Sequence, residues 1–267
     1  MRFRYALILP IILLLGLAAA PQPRQGGIHS GTGGGASAMC AAVVQSGLKA
    51  CYDSGSGLTC TGGCTSGNAV TQWNDQSSNM NNLTCSSCGL YESAQINSNP
   101  AVRFDGSANF YSFGTSINLQ TADTIFVVFK SSAGSAAHSS TFVSGTAAGS
   151  ISYENGLVNG GAGNGNAQSL YITSFQETGT ALADTSWHQA NMSYNATTIT
   201  FRINETLDKT ASLSTAVTAN ETTVGYYAEY GSDFFQGDIA AIIIYNSALS
   251  APNVATNEAV LNAKYGI

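Results

Sequence analysis

Thr124-Ile125-Phe126-Val127-Val128-Phe129 is an almost unbroken apolar run. A run of this length, rich in β-branched and aromatic residues, predicts a central strand buried on both faces. Asp238 to Tyr245 holds a second such run, with Ile239, Ile242, Ile243 and Ile244. Shorter strand candidates surround these two. They are Ala101–Phe104 before the turn dipeptide Asp105-Gly106, Asn109–Phe113, Thr141–Val143, Ile151–Tyr153, Ser169–Phe175, Trp187–Tyr194, Thr198–Ile203 and Thr222–Tyr227. Thr198–Ile203 alternates, which puts Ile199, Phe201 and Ile203 on one face. The Gly/Asn stretch 159–166 reads as a hairpin tip, because it lacks phosphate-loop glycine spacing and no helical pattern follows. One short helix is expected near the C-terminus. Ser250 can cap it, Pro252 suits its first turn, Val254 and Leu261 give an apolar side, and Gly266 ends it. Many short strands without a long repeat predict an all-β, two-sheet antiparallel fold.

Composition narrows the function. Only 9% of the 267 residues are charged, against roughly 25% in ordinary soluble domains. The net charge is −6 with 9 Lys and Arg, and these are not clustered. Nucleic acid is therefore no expected partner, and neither is an anionic membrane surface.

The N-terminus reads as an export signal over residues 1–20. Arg2 and Arg4 precede an apolar stretch that ends in Ala18-Ala19-Ala20. The expected location is secreted or cell-surface, with membrane contact only through this segment if it stays uncleaved. Residues 21–45 read as a flexible Gly/Ser/Pro linker, leaving 46–267 as the folded domain. Export favours disulfides among Cys40, Cys51, Cys60, Cys64, Cys85 and Cys88. Their connectivity is open, and the spacing of the last four also imitates a four-thiolate zinc knot.

Three segments carry a resemblance. They are Gly67–Ser77 (GNAVTQWNDQS) with Asn81-Asn82, then Asn99–Ser107 (NPAVRFDGS). The third runs from Phe234-Phe235-Gln236-Gly237-Asp238-Ile239-Ala240 through Tyr245–Ser250 to Lys264-Tyr265-Gly266-Ile267. Together they resemble the laminin-G-like jelly-roll domains of the concanavalin A-like lectin/glucanase superfamily, over about residues 46–267. The resemblance implies a two-sheet antiparallel jelly-roll sandwich with one concave face and a short C-terminal helix. It also implies binding of glycans or proteins, with some members acting as glycosidases. Several members hold calcium through an acid just after the "G-x-I" motif; here Ala240 and Ala241 stand there. No cofactor is assigned; for calcium the oxygen-ligand candidates are Asp53, Asp75 and Asp105. Trp73 is expected to be a packing anchor.

Glycoside hydrolysis needs two carboxylates flanking the scissile bond. No two of the fifteen acidic residues stand at i, i+2, so no strand presents an adjacent pair on one face. Glu205 with Asp208, and Glu229 with Asp233, are the nearest alternatives, and both fall in turns. No catalytic residue is assigned. Sugar binding asks for rings beside hydrogen-bonding groups. Tyr226, Tyr227, Glu229, Tyr230 and Asp233, followed by Phe234, are the best local cluster. Asn82, Asn191, Asn195, Asn204 and Asn220 lie in Asn-x-Ser/Thr sequons and are glycosylation candidates. The expected function is a secreted or surface lectin-like domain that binds polysaccharide or surface glycan without catalysis. The alternative is a structural or adhesive subunit whose partners are other extracellular protein subunits. A glycoside hydrolase ranks third.

Overall fold

In the computed structural model, the described residues are 37–120, 122–132, 140–145, 151–155, 167–172, 175–181, 185–212, 219–227 and 234–267. The expected leader and the linker up to residue 36 lie outside them.

The described body is two antiparallel sheets. One holds β1 (Leu48–Asp53), β5 (Leu90–Ile96), β6 (Asn99–Asp105), β8 (Ala122–Ser131), β13 (His188–Asn195), β14 (Thr198–Ile203), β15 (Thr206–Ser212) and β17 (Gln236–Tyr245). Its order is β15-β14-β13-β8-β17-β6-β5, with β1 also on β17. β6 pairs with the first half of β17 and β1 with the second, so the two lie end to end along one edge. The other sheet holds β2 (Leu58–Cys60), β3 (Val70–Trp73), β4 (Leu83–Ser87), β7 (Phe110–Gln120), β9 (Ser140–Ser144), β10 (Ile151–Asn155), β11 (Ala167–Ile172), β12 (Phe175–Ala181) and β16 (Ala219–Val224). Its order is β12-β11-β10-β9-β16-β7-β4-β3-β2.

The apolar runs owe their continuity to three layers. On β8, Ile125, Val127 and Phe129 enter the core between the sheets, with Trp73, Phe113 and Phe142. Phe126 and Val128 enter a second core beneath the helices, with Ala240, Ile243, Leu261 and Tyr265. A strand covered on both faces has no reason to alternate. The covering helix, α2 (Ala251–Tyr265), matches the sequence expectation. It ends at Gly266, whose φ of 74° lets its N–H return to Asn262 O at 2.7 Å. Ser250 precedes it but makes no side-chain cap bond.

The folded body begins earlier than the sequence reading puts it. Residues 37–45 are not linker: α1 (Ala38–Ala42) buries Met39 and Cys40, and Cys40 is bonded to Cys51 on β1. A five-residue helix has too little periodicity to read, and the disulfide and α2 hold it in place. The other bonds are Cys60–Cys64 and Cys85–Cys88, and no cysteine is free. The thiols with zinc-like spacing are therefore taken up pairwise. Replacing both Cys40 and Cys51 by Ala is expected to cost roughly 2–3 kcal/mol, since an 11-residue separation closes a short loop. A lower urea midpoint is the readout.

The Trp73–Ser77 segment holds β1 to the sheet opposite. Asp75 Oδ1 accepts the N–H groups of Cys51 and Ser77 at 2.9 and 2.8 Å. Its Oδ2 accepts Ser77 Oγ at 2.7 Å and the Asn81 N–H at 2.9 Å. Trp73 is fully buried, as a packing anchor should be.

Candidate functional site: an aromatic cluster at one end of the sandwich

Three strand ends converge where β7 starts, β16 finishes and β17 is about to start. Phe110, Tyr226 and Phe234 meet there. The Tyr226 and Phe234 rings stack, with centroids 4.6 Å apart and planes at 27°. Phe110 lies 4.9 Å from Tyr226 and 6.4 Å from Phe234. All three rings are partly exposed. The three rings thus touch one another while each keeps part of its surface open.

The backbone explains which residues join. Gly225 has φ +82°, and a Cβ there would meet the Phe104 ring at 2.5 Å. This turn sends Tyr227 into the protein, fully buried, and leaves Tyr226 outside. The Tyr226 carbonyl is fixed by the hydroxyls of Ser144 and Thr223, each at 2.8 Å. On the other side, Phe235 is buried against Phe104 and Phe142. That alternation leaves Phe234 outward.

Of the five binding candidates read from sequence, Tyr226 belongs to this cluster. Tyr227 does not: it is a core side chain no ligand can touch. Glu229, Tyr230 and Asp233 lie outside the described residues. Phe110 was missed. Its strand was legible, but nothing local ties it to a turn far along the chain.

The calcium candidates are scattered. Asp53 binds Lys264 Nζ and accepts from the Gly55 N–H at 2.8 Å and Tyr265 OH at 3.3 Å. Asp75 is filled by the four donors already described. Asp105 Oδ1 takes the N–H groups of Ser107, Ala108 and Asn109 at 2.9–3.0 Å. Burial pushes the Asp105 pKa up, but those N–H bonds outweigh it and hold it at about 2. Among the described residues, no three His, Cys, Asp or Glu side chains gather to hold a metal. Asp238, beside the motif position where calcium-binding relatives carry an acid, is ion-paired instead. Arg103 grips it at 2.8 and 3.1 Å, and Lys130 lies 3.4 Å away.

The sequons also divide. Asn191 is 1% exposed and its Nδ2 donates to Glu258 at 2.9 Å, so the folded protein offers no glycan attachment there. Asn195 and Asn204 are exposed and Asn82 half-buried. Asn220's side chain lies outside the described set.

With this geometry in place, the likeness to known proteins is specific. The profile of the concanavalin A-like lectin/glucanases superfamily matches residues 119–255, just over half of the chain. This chain belongs to the concanavalin A-like lectin/glucanase superfamily. The matched span takes in the third resemblance segment up to Ser250, while the first two lie upstream of it. No curated protein sequence matches the chain.

Solved structures share the superfamily fold at low identity. Domain 4 of AbnA, a GH43 extracellular arabinanase from Geobacillus stearothermophilus in complex with arabinotriose, superposes at TM-score 0.55 and 14% identity. The match covers 79% of this chain and 98% of that domain. A GH54 α-L-arabinofuranosidase matches at TM-score 0.59 and 13% identity, over 82% of this chain and 63% of that one. The binding domain of Paraclostridial Mosquitocidal Protein 1 matches at 0.55 and 9%, over 82% and 53%. These likenesses establish the fold. Among the described residues, no helix is long and apolar enough to cross a membrane.

Proposed function

We propose that this chain is an exported glycan-binding module that takes a neutral sugar against the Phe110–Tyr226–Phe234 cluster. The observation that carries the reading is the mutual contact of three partly exposed rings from three separate strand ends. Aromatic faces stack on the apolar faces of sugar rings and leave hydroxyls free to bond at the rim. The disulfides suit an extracellular setting. The arabinotriose complex of AbnA domain 4 makes pentose oligosaccharides the first ligands to try.

A glycan array followed by calorimetry tests this. Tyr226→Ala and Phe234→Ala should each weaken binding about fivefold to tenfold, since one stacked ring contributes about 1 kcal/mol. Melting temperature should change little. Binding to no glycan, or binding unchanged in both variants, removes the proposal.

A catalytic role would need two facing carboxylates within reach of substrate. The exposed Glu205 accepts from Asn262 Nδ2 at 2.9 Å, and Glu92, Asp238 and Glu258 are ion-paired. Release of sugar from arabinan by the purified protein would replace the binding reading with a hydrolytic one.

A further inference from the structure

Two acidic side chains are buried where no acid is expected. Asp123, on β8, shares its face with Ile125, Val127 and Phe129, so it points into the gap between the sheets. Glu221, on β16, stands in register with Ile117, a residue of the same core, and enters that gap from the other sheet. Both are 0% exposed; the two Glu221 oxygens have no hydrogen-bond partner, and Asp123 makes no well-formed bond, feeling the backbone N–H of Tyr194 only enough to offset part of its burial.

No cation is placed to neutralise them among the described residues. β16 carries no other titratable residue, and β9 has none at all. On β8, Lys130 sits at the far end with Asp238. On β13, Tyr194 lies beside Asp123, with its hydroxyl turned to Ala196 O at 2.8 Å, and His188 is at the opposite end beside Phe129. On β7, Tyr111 is also distant and bonds Val70 O at 2.8 Å. On β14, Arg202 is committed to Glu258, and on β17 Asp238 is committed to Arg103. The charge acting on Glu221 is Asp123 itself.

We propose that Asp123 and Glu221 form a proton-held latch between the sheets: the folded sandwich carries the pair as neutral acids, and losing that proton as the pH rises loosens this end of the fold. Two unpaired carboxylates in a dry core would cost far more than two neutral acids. Desolvation drives both pKa values up, Asp123 to about 8 and Glu221 well above the usual carboxylate range, with Asp123 adding to the rise at Glu221. The folded state then binds more protons than the unfolded chain between about pH 4 and 8. Stability from this pair is therefore present at low pH and lost as the pH rises through that window.

The experiment is thermal melting of the full chain from pH 5 to 9, for wild type and Asp123→Asn/Glu221→Gln. Wild type should melt several degrees lower at pH 9 than at pH 5, and the double variant should lose most of that slope. A wild-type melting temperature that stays flat or rises, or an equal slope in the variant, overturns the proposal. Infrared spectra of wild type at pH 6 decide independently of whether the variant folds. A protonated-carboxyl band should be present, because ordinary acids are ionised there, and its absence overturns the latch. If millimolar Ca²⁺ at pH 8 raises the melting temperature of wild type but not of the variant, a cation rather than a proton holds the pair. That result also overturns it.

Discussion

Trp73→Ala is expected to cost about 3–5 kcal/mol, the range for removing a fully buried large aromatic side chain. Trp73 is 0% exposed and sits between Leu58 and Leu83 on the flanking strands. The Tyr52 ring meets it edge-on at 5.8 Å, so the two sheets touch through this pair. Val70 and Leu83 join it in the same core, and Trp73 is the largest side chain that β2, β3 and β4 put there. Urea unfolding should show the loss as a much lower midpoint. Trp73→Phe should cost under half as much, because the indole Nε1 is buried without a hydrogen-bond partner and its removal relieves a penalty. A Phe variant as damaged as the Ala variant would show that the site needs the indole for more than its bulk, and would sink the reading of Nε1 as a penalty.

The second large effect is expected at Glu258, through which α2 is fastened to the sheet. Its carboxylate is 2% exposed and takes Arg202 Nε at 2.7 Å and Nη2 at 3.0 Å, plus Asn191 Nδ2 at 2.9 Å. Two-pronged pairing of this kind is the strong form of a salt bridge. Glu258→Ala should cost about 3 kcal/mol, the lower part of the range for breaking a buried pair. The Arg202 side chain keeps 26% of its exposure and can turn to water, whereas Asn191 cannot. Denaturant midpoints of Glu258→Ala, Arg202→Met and the double variant close the cycle. Additive losses would mean the two groups are not coupled.

Legibility in the sequence followed the continuity of apolar residues, not burial alone. β8 and β17 were plain because both their faces are covered, which concentrates Ile, Val and Phe into one run. β1 and β5 were not. Leu48–Asp53 mixes Lys, Cys and Asp, and Leu90–Ile96 is an edge strand in which only Ile96 is buried. α2 was legible from Pro252 and Gly266, whereas α1 depends on a disulfide partner that spacing alone did not select. The candidate site was half legible. Tyr226 and Tyr227 look equivalent as letters, and only the Gly225 turn decides which one faces water. Asn191 satisfies a sequon as well as Asn195 does, but the helix packed above it is a tertiary fact. Asp123 and Glu221 stood among fifteen acids with nothing local to mark them. Their meaning comes from two strands in different sheets.

The end-to-end placement of β1 and β6 along β17 has a mechanical consequence. Ser37 and α1 enter at the Tyr245 end of β17, where Leu48 pairs, and the ring cluster lies at the Gln236 end. Ten strand residues, about 30 Å, separate the two. A pull between a ligand on the rings and whatever precedes Ser37 runs lengthwise through β17 and its neighbours. Ladder bonds lie across the strands, so such a pull shears many of them at once instead of peeling them singly. The Cys40–Cys51 bond delivers the tension directly into β1.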